Sequence, residues 1–300
     1  MSVIKRGVYP VLTTPYTYSG SIDQLALSRE IDYVFEAGAH GITFALVSDV
    51  LRLTVNERVA MPYQLVEAAA GRGGVIMSVG AENVDQACVY AEAAENAGVS
   101  AIMAIPPTSR FLSEDAIIVY FSQIASSVSI PVVIQDASGY LGRPMSAALQ
   151  ADLHKTFGNR IWFKPEAEPL GQRLSALRDA TGDQAIIFEG SGGIALLDAH
   201  SRGIHGTMPG CDLLEGVVAL WHALDDGDES RAYSLYLPIC AIIARQVQGG
   251  LDGFIAIERY LLEKQGILPP QTPRAPFIYK LDRETRAGVD QLFAVLRSLL

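Results

Sequence analysis

Only five lysines occur in the 300 residues. One of them, Lys164, closes the short apolar run Ile161-Trp162-Phe163 just ahead of Pro165. Burial disfavours an ammonium and favours the free amine, the form that attacks a carbonyl to make a Schiff base. The competing reading is a lysine whose stem packs on Trp162 while its head reaches water or pairs with Glu166. If the strand ran on, Glu166 would face the same way as Lys164, as a base or as a salt-bridge partner, but Pro165 argues that the strand stops first. The run Gly190-Ser191-Gly192-Gly193 offers backbone N–H groups to a carboxylate or hydroxyl. It lacks the lysine of a Walker loop and departs from the dinucleotide fingerprint, so a tight turn or a phosphate cradle are its other readings. Ser48, with the N–H groups of its neighbours Val47 and Asp49, forms a second candidate carboxylate clamp; an ordinary turn serine is equally compatible with the spacing.

Other chemistries find little support. His40, His154, His200, His205 and His222 show no metal-binding spacing and no accompanying acidic cluster, so neither a metal nor another cofactor is expected. Cys88, Cys211 and Cys240 are odd in number and widely spaced in apolar surroundings, which suits reduced thiols in a core. A net charge of −10 without a basic stripe argues against nucleic acid and anionic membrane surfaces. The N-terminus has no apolar leader segment and no stretch reaches the length of a membrane span, which together predict a cytoplasmic protein.

The elements that must position these residues alternate regularly. Apolar runs at 8–12, 41–45, 74–78, 101–105, 131–134, 161–163, 185–188 and 204–208 read as strands covered on both faces. Between them lie amphipathic segments at 22–37, 55–70, 83–97, 113–128, 145–157, 170–180 and 195–202, punctuated by the capping box from Thr54 to Glu57 and by Gly38, Gly71 and Gly98. Eight βα units in series predict an α/β fold, a (β/α)8 TIM barrel, over residues 1–225. Helices alone follow, so residues 226–300 are expected to form a C-terminal helical extension packed on the barrel. In such a barrel the strand ends converge on one mouth, bringing together Ser48, Gln135, Lys164 and the Gly190 loop.

With these elements in place, the chain resembles the dihydrodipicolinate synthase and N-acetylneuraminate lyase family over nearly its whole length. The resemblance rests on Gly7-Val8-Tyr9-Pro10-Val11-Leu12-Thr13-Thr14-Pro15, on Leu53-Thr54-Val55-Asn56-Glu57-Arg58, on Phe163-Lys164 and on Gly190-Ser191-Gly192-Gly193. The eighth strand, Gly203-Ile204-His205-Gly206-Thr207-Met208, is also similar. It implies that Lys164 forms an imine with pyruvate or another 2-oxo acid and that Thr207 joins Ser48, Val47, Asp49, Gly190, Ser191 and Gly192 around the substrate. A homotetramer or homodimer is implied too, with Phe111 and Leu112 at an interface.

The departures from that family carry as much information. Where many members have a G-T-T-G-E loop, this chain has Ala45-Leu46-Val47-Ser48-Asp49. The usual strand-five tyrosine falls at Gln135, the tyrosine after strand four near Thr108 and Ser109, and an expected arginine near Tyr140. An amide cannot titrate as a phenol does. The pairs Ser48-Asp49 and Gln135-Asp136 instead resemble a branch of 2-keto-3-deoxy sugar acid dehydratases. The expectation is a class I lyase, aldolase or dehydratase, with Lys164 as nucleophile, Gln135 orienting water or substrate and Glu166 shuttling protons. A catalytically silent 2-oxo acid binding protein and a dihydrodipicolinate synthase with an atypical proton relay are the alternatives.

Overall fold

The computed structural model describes residues 4–138, 142–270 and 273–300. Among them run eight strands: β1 (Gly7–Val8), β2 (Gly41–Phe44), β3 (Gly74–Ser78), β4 (Ala101–Ala104), β5 (Val132–Asp136), β6 (Ile161–Pro165), β7 (Ile186–Glu189) and β8 (Gly206–Thr207). They form one sheet in the order β1-β8-β7-β6-β5-β4-β3-β2. With helices between successive strands and further helices at the C-terminal end, this is the (β/α)8 barrel that the alternation predicts.

The chain forms two compact units. The first comprises Leu53–Gly190, Asp198–Gly206 and the residues preceding Gly7. Its strands β3 to β6 pair in parallel with one continuous register, Ile76 to Ala101, Ile102 to Val132 and Val133 to Trp162. Ile76, Ile102, Val133 and Phe163 are fully buried, which explains why these strands read as unbroken apolar runs. Sealing one such side chain from water contributes about 1.5–3 kcal/mol. Of the helices α2 (Val55–Ala69), α3 (Val84–Ala97), α4 (Glu114–Ser127), α5 (Ala147–Phe157) and α6 (Leu170–Ala180), the first four have side-chain N-caps, from Thr54, Asn83, Ser113 and Ser146, with Thr54 and Glu57 exchanging bonds in a capping box, while α6 starts after Pro169 without one.

The second unit holds Gly7–Arg52, Ser191–Leu197 and Thr207–Leu300. It contains α1 (Gln24–Glu36), the start of the short α7 (Leu196–Ser201), α8 (Leu214–Asp225), α9 (Glu229–Gln246), α10 (Gly250–Lys264) and α11 (Arg283–Arg297). Val11 bridges Thr43 on one side and Gly210 on the other.

Strand lengths depart from the sequence reading in two directions. The first and last strands shrink to two residues each, although backbone bonds continue beyond them: Val11 N–H donates to the Pro209 carbonyl at 2.7 Å and Thr43 N–H to the Pro10 carbonyl at 2.8 Å. The fifth strand runs two residues further, to Asp136, while losing Pro131 at its start, and the sixth lengthens by two residues. Pro165 was expected to stop the sixth strand; it lies inside β6 opposite Asp136, and the ladder resumes one residue later, Glu166 N–H donating to the Asp136 carbonyl at 2.9 Å.

Candidate active site

That extension of β6 builds the candidate site. Lys164 pairs in register with Gln135 on β5. Because the backbone stays extended through Pro165, the period of two turns Lys164 and Glu166 to the same side. Lys164 Nζ lies 3.0 Å from Glu166 Oε1, with both side chains buried. Gln135 Nε2 donates to Glu166 Oε2 at 2.7 Å. Each carboxylate oxygen thus has one partner, and the lysine head, which one reading sent to solvent, is held inside.

Burial raises the Glu166 carboxyl above the usual carboxylate range; the Lys164 ammonium and the Gln135 bond pull it back, and the nearby Glu189 carboxylate pushes it up again. The result is a buried acid in direct contact with an amine. Gly190, immediately after β7, is fixed by this pair. A Cβ there would stand 2.6 Å from Glu166 Oε1 and 2.7 Å from Lys164 Cε, closer than carbon and oxygen tolerate. The requirement at Gly190 is close approach, with no unusual backbone angle involved.

Around this centre the same unit supplies supports. Asp136 Oδ2 accepts from Met145 N–H at 2.8 Å and Oδ1 from Ser138 N–H at 3.2 Å, tying the segment after β5 back to its strand. Thr108 and Ser109 do not bring a phenol to the site; their N–H groups hold the Glu82 carboxylate. Tyr140 lies outside the described residues.

The remaining sequence-predicted residues belong to the second unit. Ser48 ends a 3-10 turn, Leu46–Ser48, that also contains Val47. Its hydroxyl donates to the Leu12 carbonyl and accepts from Ala45 N–H at 3.0 Å, so it ties the turn to the segment that follows β1. Asp49 takes the left-handed conformation, φ 57°, and each of its oxygens meets a guanidinium: Arg52 Nη1 and Arg259 Nη2, both at 2.7 Å. Ser191 Oγ accepts from Ala195 N–H at 2.8 Å, and Gly192 and Gly193 follow at φ 75° and 118°, values that favour glycine. Thr207 is buried in β8 with its carbonyl accepting from Tyr9 N–H at 2.9 Å. Lys164, Gln135, Glu166 and Gly190 are therefore brought together directly in the first unit, and Val47, Ser48, Asp49, Ser191, Gly192 and Thr207 belong to the second.

Several buried acids have no role assigned from sequence. Glu189 closes β7, fully buried, and acts on Glu166 by charge. Its position at a strand end was the available signal. Glu30 on α1 accepts from Thr13 N–H at 2.9 Å and Thr13 Oγ1 at 3.0 Å; burial pushes it up to about 7. Burial likewise raises Asp212, to about 7, and Glu258. Among the described residues no group of three or more His, Cys, Asp or Glu is arranged to hold a metal ion, and no helix is long and apolar enough to cross a membrane.

Comparison with known proteins places this geometry in context. The Dihydrodipicolinate synthetase family matches residues 5–294. L-2-keto-3-deoxyarabonate dehydratase of Azospirillum brasilense is 27% identical over 98% of this chain and 94% of its own length. The 4-hydroxy-tetrahydrodipicolinate synthase of Rhizobium meliloti is 29% identical, over 65% of this chain and 67% of that protein. Among solved structures, dihydrodipicolinate synthase from Rhodopseudomonas palustris superposes with a TM-score of 0.88 at 24% identity, covering 98% of this chain and all of that one.

Proposed function

The chain belongs to the dihydrodipicolinate synthetase family, and from that premise we propose that this lyase condenses Lys164 with a 2-oxo acid and dehydrates a 2-keto-3-deoxy sugar acid. The observation that carries the reading is the buried contact of Lys164 Nζ with Glu166 Oε1, held by Gln135. An amine attacks a carbonyl only when neutral, and a carboxylate raised by burial is a suitable acceptor for the ammonium proton. The proton then resides on Glu166 and is returned to the hydroxyl of the carbinolamine, which leaves as water to give the iminium.

The iminium withdraws electrons from C3. Glu166, ionised again, takes the C3 proton; the C3–H electrons form the enamine double bond, and the iminium nitrogen receives the displaced pair. The enamine then expels the C4 hydroxyl, which departs as water with the proton that Glu166 holds. One carboxyl serves each step in turn, so no phenol is required at Gln135. Gln135, unable to titrate, keeps Glu166 Oε1 directed at Lys164. Water hydrolyses the conjugated iminium and restores the lysine.

Two observations favour dehydration over condensation with a second carbonyl compound. The relative named as a dehydratase matches 98% of this chain, whereas the synthase sequences compared match 58–79% of it. Gln135 also stands where a titratable tyrosine would relay protons in condensation. The reading is tested by kcat/KM across 2-keto-3-deoxy acids of four to seven carbons beside pyruvate with aspartate semialdehyde. Dehydration of a sugar acid should exceed condensation, and the reverse order would refute the assignment.

A further inference from the structure

The second unit contains a cavity of about 620 Å³, walled by α10, the segment 273–281 and α11. Its size falls in the range of small-molecule sites. Arg259, Lys280 and Arg286 contribute three cationic side chains to its wall and Glu263 one carboxylate, in a chain whose net charge is −10. Tyr260, Phe277 and Tyr279 give the same wall an aromatic surface. Arg259 is almost completely buried, yet its Nε and Nη1 have no hydrogen-bond partner. A buried guanidinium with two unused donors is costly unless an acceptor is supplied.

We propose that this cavity is a binding site for a small organic anion, a carboxylate on an apolar body, with Arg259, Lys280 and Arg286 supplying the positive charge and Tyr260, Phe277 and Tyr279 the apolar contact. The chemistry of the wall selects both parts of such a ligand. Charge alone would suit inorganic phosphate, but the aromatic rings gain from covering a hydrocarbon face. Occupancy is felt at Asp49 by two routes. Arg259 Nη2 reaches from the cavity wall to Asp49 Oδ2 at 2.7 Å and to the Thr14 carbonyl at 3.0 Å. Phe277 lies 5.4 Å from the guanidinium of Arg52, which holds Asp49 Oδ1 through Nη1 and the Pro276 carbonyl through Nε. An anion that engages Arg259 therefore bears on the loop that Asp49 closes.

Calorimetric titration of the full chain tests the site, with benzoate as probe, benzyl alcohol as its uncharged counterpart and inorganic phosphate as charge without a ring. Benzoate should bind saturably, and both comparison ligands should bind at least about tenfold more weakly. Charge reversal at the exposed positions, Lys280→Glu with Arg286→Glu, should weaken benzoate by about tenfold or more. Hydrogen exchange should then show altered protection of amides 46–52 when benzoate is bound to the unmodified chain. Absence of saturable benzoate binding, equal binding of benzyl alcohol, or an affinity untouched by charge reversal would each overturn the site. Unchanged exchange at 46–52 with the site filled would overturn its link to Asp49.

Discussion

Glu166 Oε1 lies 3.0 Å from Lys164 Nζ inside the protein, and the two face each other because β6 continues through Pro165. The proposed chemistry needs the carboxylate to titrate, and it needs more than its shape. Glu166→Gln keeps the shape and removes the proton acceptor, so the rate of adduct formation with pyruvate should fall about 10²–10⁴-fold. Single-turnover trapping with borohydride measures that rate directly. A Glu166→Gln protein that traps pyruvate as fast as the unmodified chain would leave Glu166 as a structural partner only.

Gly190→Ala should disturb the same pair from the opposite wall. The added Cβ would meet Glu166 Oε1 and Lys164 Cε at under 3 Å, and both side chains are buried, so one of them must leave its position. A displacement near 1 Å at a reacting group costs roughly 10²-fold in rate. The expected result is a loss of kcat of that order, with a loss of stability of about 1–3 kcal/mol from overpacking. Full activity in Gly190→Ala would mean that the 3.0 Å contact is dispensable.

Much of the fold was legible because barrel strands covered on both faces leave unbroken apolar runs, and the eight βα units announce themselves in sequence. Lys164 was legible for a related reason: a cation ending an apolar strand is rare enough to need an explanation. Proline misled at β6, where its missing N–H was read as a stop although the neighbouring Glu166 N–H carries the ladder onward. The turn at Ser48 was one of two readings open in the sequence, but the partner of its hydroxyl, Leu12, lies 36 positions away and was not legible. Glu30 and Glu258 were hidden in helices where acids normally face water, and their partners Thr13 and Cys211 lie 17 and 47 positions away in sequence.

Asp49→Asn should destabilise the protein strongly. Asparagine tolerates the left-handed backbone, but it leaves the buried Arg259 guanidinium without its ionic partner and weakens the grip of Arg52. Removing one member of a buried pair costs about 3–5 kcal/mol. Urea unfolding measures the change; a loss below about 1 kcal/mol would show that Asp49 carries no such burden.

Stability should depend on pH through Glu30. Its carboxyl, raised by burial from 4.5 to about 7, binds a proton more tightly in the folded chain than in the unfolded one. That contribution is complete below the unfolded value and is lost as pH rises through the folded one, between about 4.5 and 7. Glu30→Gln removes the titration, so its stability relative to the unmodified chain should increase from pH 5 to 8 by on the order of 2 kcal/mol. A constant difference across that range would contradict the raised carboxyl.

The most direct measurement of the central claim is covalent trapping. Incubation with pyruvate and borohydride reduces an imine to a stable secondary amine, and peptide mass spectrometry locates it. The five lysines of the chain make the assignment unambiguous. The adduct should appear on Lys164 and disappear in Lys164→Arg, whose guanidinium stays protonated. An adduct on another lysine, or none with pyruvate or any longer 2-oxo acid, would contradict the imine mechanism itself.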